Sequence, residues 1–184
     1  MSVVERPPLE LAYLVVSGTT TAYRAPELVR GLVGIAGRVV TLATPNAARV
    51  IALRDLSVIE GNLVVESYFD GAILPRPPHG LVLVAPCSFN SLNKLAAGVA
   101  DNLALSVAAE AIGRGTPVLV GPSLNAPLLA HPRAAQSMAT LREWGVTVID
   151  PVDPGDGSGP RLAPTDVLLD AVQRHWTGYQ QSGV

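Results

Sequence analysis

A chain of 184 residues, 48% hydrophobic but only 15% charged and 4% aromatic, is the size of one domain with ample aliphatic material for a core. Its net charge of −2, with no basic run, excludes the electrostatic footprint of a nucleic-acid binder, so no nucleic-acid partner is expected. The single cysteine, Cys87, rules out an internal disulfide, and no His/Cys/Asp cluster has metal-ligand spacing.

The first residues, MSVVERPPLELAY, carry Glu5 and Arg6 and no apolar core of signal-peptide type. The apolar run near Leu81 is too short to span a bilayer, so a soluble cytoplasmic protein without a membrane partner is expected. Low charge in such a protein fits surface buried by self-association, and equally a compact α/β enzyme with a small polar surface.

Residues 11–16 (LAYLVV) read as a first buried strand. In the turn that follows, Gly18 precedes three hydroxyls, Thr19, Thr20 and Thr21, and residues 22–32 read as a helix with Pro26 in its first turn. Such a turn holds a phosphate on amides and hydroxyls, though it reads equally as an ordinary polar turn. Residues 37–43 form the second strand, ending at Thr44-Pro45-Asn46, and a short helix begins near Ala47. Thr44 is a candidate ligand hydroxyl and equally a capping one. Residues 53–78 are the least regular part, with a short strand at 63–65 between loops.

The run 81–85, bounded by Gly80 and Pro86, reads as a strand buried on both faces. The loop Cys87-Ser88-Phe89-Asn90-Ser91 leads into a helix with Leu92, Leu95, Ala96 and Val99 at helical spacing, and residues 106–114 continue or follow it. Residues 117–120 are the next strand, with Pro122-Ser123-Leu124-Asn125 directly after it. His131 opens a helix over 134–144 that carries Met138, Leu141 and Trp144 on one face. Residues 145–149 form the last strand, 154–160 are a mobile loop by composition, and 166–176 are the final helix. The expected fold is α/β: a doubly wound (Rossmann-like, flavodoxin-like) parallel sheet in one domain over 1–184. Thr19, Thr44, Asn46 and Asn90 then share one carboxyl edge, where open α/β sheets bind ligands.

Several of these stretches are specific. PCSFNSLNKLAAGVADNL, from Pro86 onward, resembles the P-x-x-x-N-[ST]-x-x-K-x-A-x-G-x-A-D-N-L stretch of the homo-oligomeric FMN-containing cysteine decarboxylases. That family includes phosphopantothenoylcysteine decarboxylases and the peptidyl-cysteine decarboxylases of lanthipeptide-type biosynthesis. SGTTTAYRAPELVRGL resembles the family's G-S-I-A-A-Y-K-A-P-E-L-V start, with Thr19 in place of the usual serine. Residues 44–48 resemble its T-P-[SA]-A turn. Residues 122–129 resemble its P-A-M-N-x-x-M-W motif, with Pro122 and Asn125 kept and Ser123, Leu124, Leu128 and Leu129 replacing Ala, Met, Met and Trp. The likeness runs from residue 11 to residue 176.

The resemblance implies FMN, with its phosphate near Thr19 and its ring near Asn90. Gly18, Thr19, Thr20, Thr44, Asn46, Pro86, Ser88, Phe89, Asn90 and Ser91 are the residues it assigns to the cofactor. It assigns Pro122, Ser123, Leu124 and Asn125 to the substrate, together with Arg161 at the end of a glycine-rich flap over 153–165. It further implies a homo-oligomer built from trimers, a trimer or a dodecamer, with the flavin site completed across a subunit boundary. The family's H-I-x-L histidine falls on Ala72, a departure. His79 lies at the far end of the following strand and reads as an exposed loop histidine. His131, after Asn125, is the candidate proton carrier, though it reads also as a histidine that merely opens a helix. Cys87 stands where relatives have alanine or glycine and reads as a small apolar filler.

The leading expectation is FMN-dependent oxidative decarboxylation of the C-terminal cysteine of a ribosomal precursor peptide. The product is an enethiol, on the way to an aminovinyl-cysteine-containing peptide, and the precursor peptide is the partner. One alternative is a phosphopantothenoylcysteine decarboxylase. Another is a non-catalytic FMN-binding or regulatory subunit, which Ala72 favours. A prenyl-flavin synthase would need a basic, phosphate-rich substrate site that the sequence does not display.

Overall fold

The computed structural model describes residues 9–181. Six strands, β1 (Leu9–Val16), β2 (Ala36–Ala43), β3 (Asn62–Val64), β4 (Leu81–Cys87), β5 (Val118–Pro122) and β6 (Thr147–Val148), form one sheet in the order β3-β2-β1-β4-β5-β6. Every neighbouring pair is parallel. This is the Rossmann strand order, and it reverses between β1 and β4.

The apolar runs are continuous because both faces of the sheet are covered. Leu11, Tyr13 and Val15 of β1 pack with Val82, Val84, Val118 and Val120 on one face. That face is closed by Leu92 of α3 (Phe89–Ala96), Leu105 of α4 (Leu103–Gly113) and Leu141 of α6 (Pro132–Glu143). Ala12, Leu14 and Val16 alternate to the other face with Leu81 and Leu83. There they meet Leu28 and Leu32 of α1 (Ala25–Val33), Leu56 of α2 (Leu53–Ser57) and Leu168 and Val172 of α7 (Thr165–Gln181). A short helix, α5 (Ala126–Leu129), lies between β5 and α6.

Several expected elements are drawn differently. Residues 20–24 form a 3-10 turn and α1 starts only at Ala25, with Pro26 in its first turn. The helix expected near Ala47 is a 3-10 turn of three residues. The helix after β4 stops at Ala96, because Gly98 takes a left-handed φ of +69° that no other residue adopts cheaply. Val99 therefore leaves the helical face and is 41% exposed. A second helix is launched at Asn102, whose Oδ1 accepts the Leu105 N–H at 3.1 Å. Trp144 is the residue that ends α6 and is 48% exposed, so the inward face of that helix is Ala134, Met138 and Leu141. Residues 145–146 precede the last strand instead of belonging to it. The final helix runs on to Gln181.

Candidate functional site

The reversal of strand order makes a crevice at the carboxyl ends of β1 and β4, since the connections from these two strands leave in opposite directions. The two ends are stitched by the Ser17 N–H, which donates to the Pro86 carbonyl at 3.0 Å. Ser17 Oγ is fully buried at the foot of the next turn and finds no hydrogen-bond partner among the described residues. Gly18 follows. A Cβ there would lie 2.7 Å from the carbonyl carbon of Asn46, so the loops after β1 and β2 touch only because residue 18 has no side chain. The second loop is fixed by the Thr44 N–H on the Val16 carbonyl at 2.9 Å, and Thr44 accepts the Ala47 N–H.

On the other side, Ser88 caps α3: its Oγ accepts the Ser91 N–H at 3.1 Å and donates to the Ser91 hydroxyl. This leaves Asn90 exposed in the first turn of the helix. The Phe89 ring meets the His131 ring edge to face, with centroids 5.3 Å apart. Beyond β5, the Ser123 N–H donates to the Cys87 carbonyl at 2.8 Å and Leu124 is buried. Asn125 caps α5, its Oδ1 accepting the Leu128 N–H at 3.1 Å. The amide oxygen is thus engaged, and the Nδ2 donors, unpartnered among the described residues, remain for a ligand.

A strap crosses the same edge. Val152 and Arg161 form an antiparallel bridge, closing the loop between them, and Ser158, Pro160 and Arg161 of this strap line the crevice. Its exit is pinned by Arg24, just beyond the threonine turn. Arg24 Nη1 donates to the Ala163 carbonyl at 2.9 Å and to the Leu162 carbonyl at 3.3 Å, and Nη2 donates to Thr165 Oγ1 at 2.7 Å.

Together these loops enclose a crevice of about 870 Å³, at the upper end of the range for ligand sites. Of the residues named from the sequence, Gly18, Thr19, Thr20, Thr44, Asn46, Ser88, Phe89, Asn90, Ser91, Ser123, Leu124, Asn125 and Arg161 line it. Pro86 and Pro122 are buried strand ends behind the wall. His131 does not line it: its Nδ1 accepts the Arg133 N–H at 3.1 Å as the cap of α6, and its ring sits behind Phe89. His79 is exposed before β4, and Ala72 packs against the core, both away from the crevice.

Thr21 of the same turn lines the crevice too, and so do Lys94, Asp101 and Asn102, to which the sequence assigned no role. Those three lie inside the recognised ADNL-containing stretch, so that motif was their signal. Lys94 hydrogen-bonds Asp101 and holds its carboxyl below the usual range. A hydrogen bond from Ser158, with Arg161 nearby, does the same for Asp156 in the strap. Each cation of the crevice therefore has a carboxylate beside it, and hydroxyls and amides dominate the remaining polar lining.

Residues 8–176 match the family described as Flavoprotein. The coenzyme A biosynthesis bifunctional protein CoaBC of Mycobacterium tuberculosis is 33% identical over 175 residues, covering 87% of this chain and 41% of that protein. The chain thus spans less than half the length of these mycobacterial relatives. A probable phosphopantothenoylcysteine decarboxylase of Streptococcus mutans is 29% identical over 171 residues, covering 87% of this chain and 95% of the relative. Among solved structures, a PPC decarboxylase mutant complexed with pantothenoylaminoethenethiol superposes with a TM-score of 0.78 at 21% identity, over 92% of this chain and 99% of that one. The FMN binding protein AtHal3 gives 0.77 at 22%, over 94% and 98%. Peptidyl-cysteine decarboxylase EpiD gives 0.76 at 19%, over 90% and 99%. These structures share the fold, and the match over residues 8–176 settles the relationship: the chain belongs to the Flavoprotein family, the one that holds the cysteine decarboxylases its motifs resemble.

Proposed function

We propose that the protein is an FMN-dependent decarboxylase of a cysteine carboxyl group, acting on the C-terminal cysteine of a precursor peptide. The observation that carries this is one crevice lined both by the threonine turn and by Asn125, whose Nδ2 donors have no partner among the described residues. FMN fits the residues present. The Gly18 turn is a cradle that a Cβ would fill, with the orphaned Ser17 hydroxyl beneath it and threonine hydroxyls around it. Phe89, Leu124 and Leu128 supply apolar surface for a ring system. Thr19, Thr20, Thr44 and Asn46 would hold the phosphate side, and Ser88, Phe89, Asn90 and Ser91 the ring side. When bound, FMN supplies a two-electron oxidation of the cysteine CH2–SH to a thioaldehyde, from which the carboxylate departs as carbon dioxide to leave an enethiol.

The chain's own residues orient and shield. Asn125 donates Nδ2–H to the substrate carboxylate while the cap fixes its oxygen. Arg161 and the strap over 153–165 close over the peptide. Ala72 moves no proton and His131 does not line the crevice, so the thiol proton leaves to water, or the substrate binds already ionised as the thiolate. A general base typically contributes about 10²–10⁴-fold, and turnover is slow or substrate-restricted by that order. The chain assembles from trimers, as a trimer or dodecamer, which light scattering on a sizing column tests.

A second reading, phosphopantothenoylcysteine decarboxylase, is favoured by the streptococcal relative matched over 95% of its length. Mass spectrometry of peptides ending in cysteine, and of phosphopantothenoylcysteine, separates the two. Loss of carbon dioxide and two hydrogens from the peptide supports the first. A protein that holds FMN and releases carbon dioxide from neither substrate is the non-catalytic subunit that Ala72 suggests.

A further inference from the structure

Three hydroxyls join the threonine turn to the segment after β5. Thr19 Oγ1 lies 3.0 Å from Thr21 Oγ1, which lies 2.7 Å from Ser123 Oγ. The second contact bridges 102 residues, from the turn after β1 to the segment after β5. All three side chains line the crevice. Ser123 is held in place by its N–H on the Cys87 carbonyl. Thr21 and Ser123 stand where the family motifs quoted above carry alanine, so this run of hydroxyls belongs to the present chain and not to the motif.

A hydroxyl donates one proton and accepts on its lone pairs. A row of three therefore has two self-consistent directions. An anion in the turn that accepts from Thr19 selects one of them: Thr21 donates to Thr19, and Ser123 donates to Thr21. Ser123 then presents lone pairs alone. Successive hydrogen bonds polarise one another, which favours the row as a unit. Asn125, two residues on, presents the opposite polarity, because its oxygen is taken by the Leu128 N–H. One acceptor beside one donor group complements an N–H beside a carboxylate.

We propose that Ser123 is a specificity-determining residue that accepts the amide N–H of an N-acylated C-terminal amino acid, and that an anion held at Thr19 fixes it as an acceptor through Thr21. This deepens the reading of the crevice given above and rests on it. An amide at this position is read directly, whereas an ester oxygen faces a second acceptor and is rejected.

The test uses an N-acetylated alanine dipeptide, which carries the N–H and carboxylate but no thiol to react. It is compared with the depsipeptide in which an ester oxygen replaces the last N–H. Binding of each to FMN-loaded and apoprotein is followed by calorimetry, FMN affinity by quenching of flavin fluorescence, and folding by thermal melts. The loaded wild type should prefer the amide by about three- to tenfold, the net effect of one hydrogen bond. Ser123→Ala should abolish the preference. Thr21→Val should remove most of it and Thr21→Ser restore it, with Thr21→Ala standing in if the valine variant fails to fold. The apoprotein should discriminate less than the loaded protein. Preference retained in Ser123→Ala, or no preference in FMN-loaded wild type, overturns Ser123 as the contact. Preference untouched in Thr21→Val, or equal in apo and loaded protein, overturns the polarised row. Wild type that takes up no FMN overturns the underlying reading of the crevice, and this proposal with it.

Discussion

Gly18→Ala tests whether the crevice depends on two loops touching. The added Cβ would lie 2.7 Å from the carbonyl carbon and Cβ of Asn46 and 2.8 Å from its oxygen, well inside the ~3.5–4.0 Å optimum for non-bonded carbons. Two of those three atoms are backbone, so no rotamer change relieves the clash. Gly18 is not among the glycines with positive φ, so the whole penalty comes from proximity and none from backbone strain. Overpacking of this kind costs about 1–3 kcal/mol. In a domain this long each kcal/mol lowers Tm by about 2–4 °C, giving an expected loss of about 2–12 °C. The loop carrying Thr44 and Asn46 must retreat, and one or two phosphate-side hydrogen bonds lost with it weaken FMN binding by about five- to thirtyfold. Thermal melts and fluorescence titration of apoprotein read both effects. Gly113→Ala is the control: nothing lies within 4 Å of its Cβ position at the end of α4, so Tm should hold or rise. A Gly18→Ala protein with unchanged Tm and unchanged FMN affinity would refute the reasoning.

Asn125→Asp should still cap α5, leaving Tm nearly unchanged. It removes the Nδ2 donors and adds a negative charge facing the substrate carboxylate, so kcat/KM for carbon dioxide release should fall by about 10- to 150-fold; equal activity would show that Asn125 binds no carboxylate. Burial pushes the Cys87 thiol far above its ordinary value. Iodoacetamide at pH 8 should therefore spare it in the folded protein and alkylate it in urea. The unfolded thiol ionises above about pH 8.5 while the native one does not, so this contribution is complete below that pH and is lost as pH rises, by about 1.4 kcal/mol per unit. Urea titrations at pH 8 and 10 should show a flatter loss for Cys87→Ala. Burial lowers the proton affinity of His175, which contacts Thr147 Oγ1 at 3.1 Å. Its contribution is complete above about pH 6.5 and fades as pH falls through the lower native value. His175→Gln should melt with less acid sensitivity between pH 7 and 5.

The parallel sheet was legible because β1, β2, β4 and β5 are apolar on both faces, and their runs in the sequence admit few other readings. The break between α3 and α4 was hidden because Val99 continues the helical spacing of Leu92 and Leu95, while the left-handed Gly98 that ends the turn is a single residue. The carboxyl-edge residues followed from their places after strands. Thr21–Ser123 did not, since a bond across 102 residues depends on how two loops fall in space. His131 follows Asn125 closely in sequence, yet its ring packs against Phe89 and does not line the crevice, a placement that depends on how α5 and α6 fall in space.

Arg24 carries a consequence for how the protein comes into being on the ribosome. Its guanidinium reaches Thr165, 141 residues further along the chain, and synthesis at about 5–20 residues per second separates the two by about 7–28 s. Throughout that interval the nascent threonine turn exists without the clamp that later seats it. The contact that pins the strap to this turn therefore forms only on a polypeptide translated through Thr165.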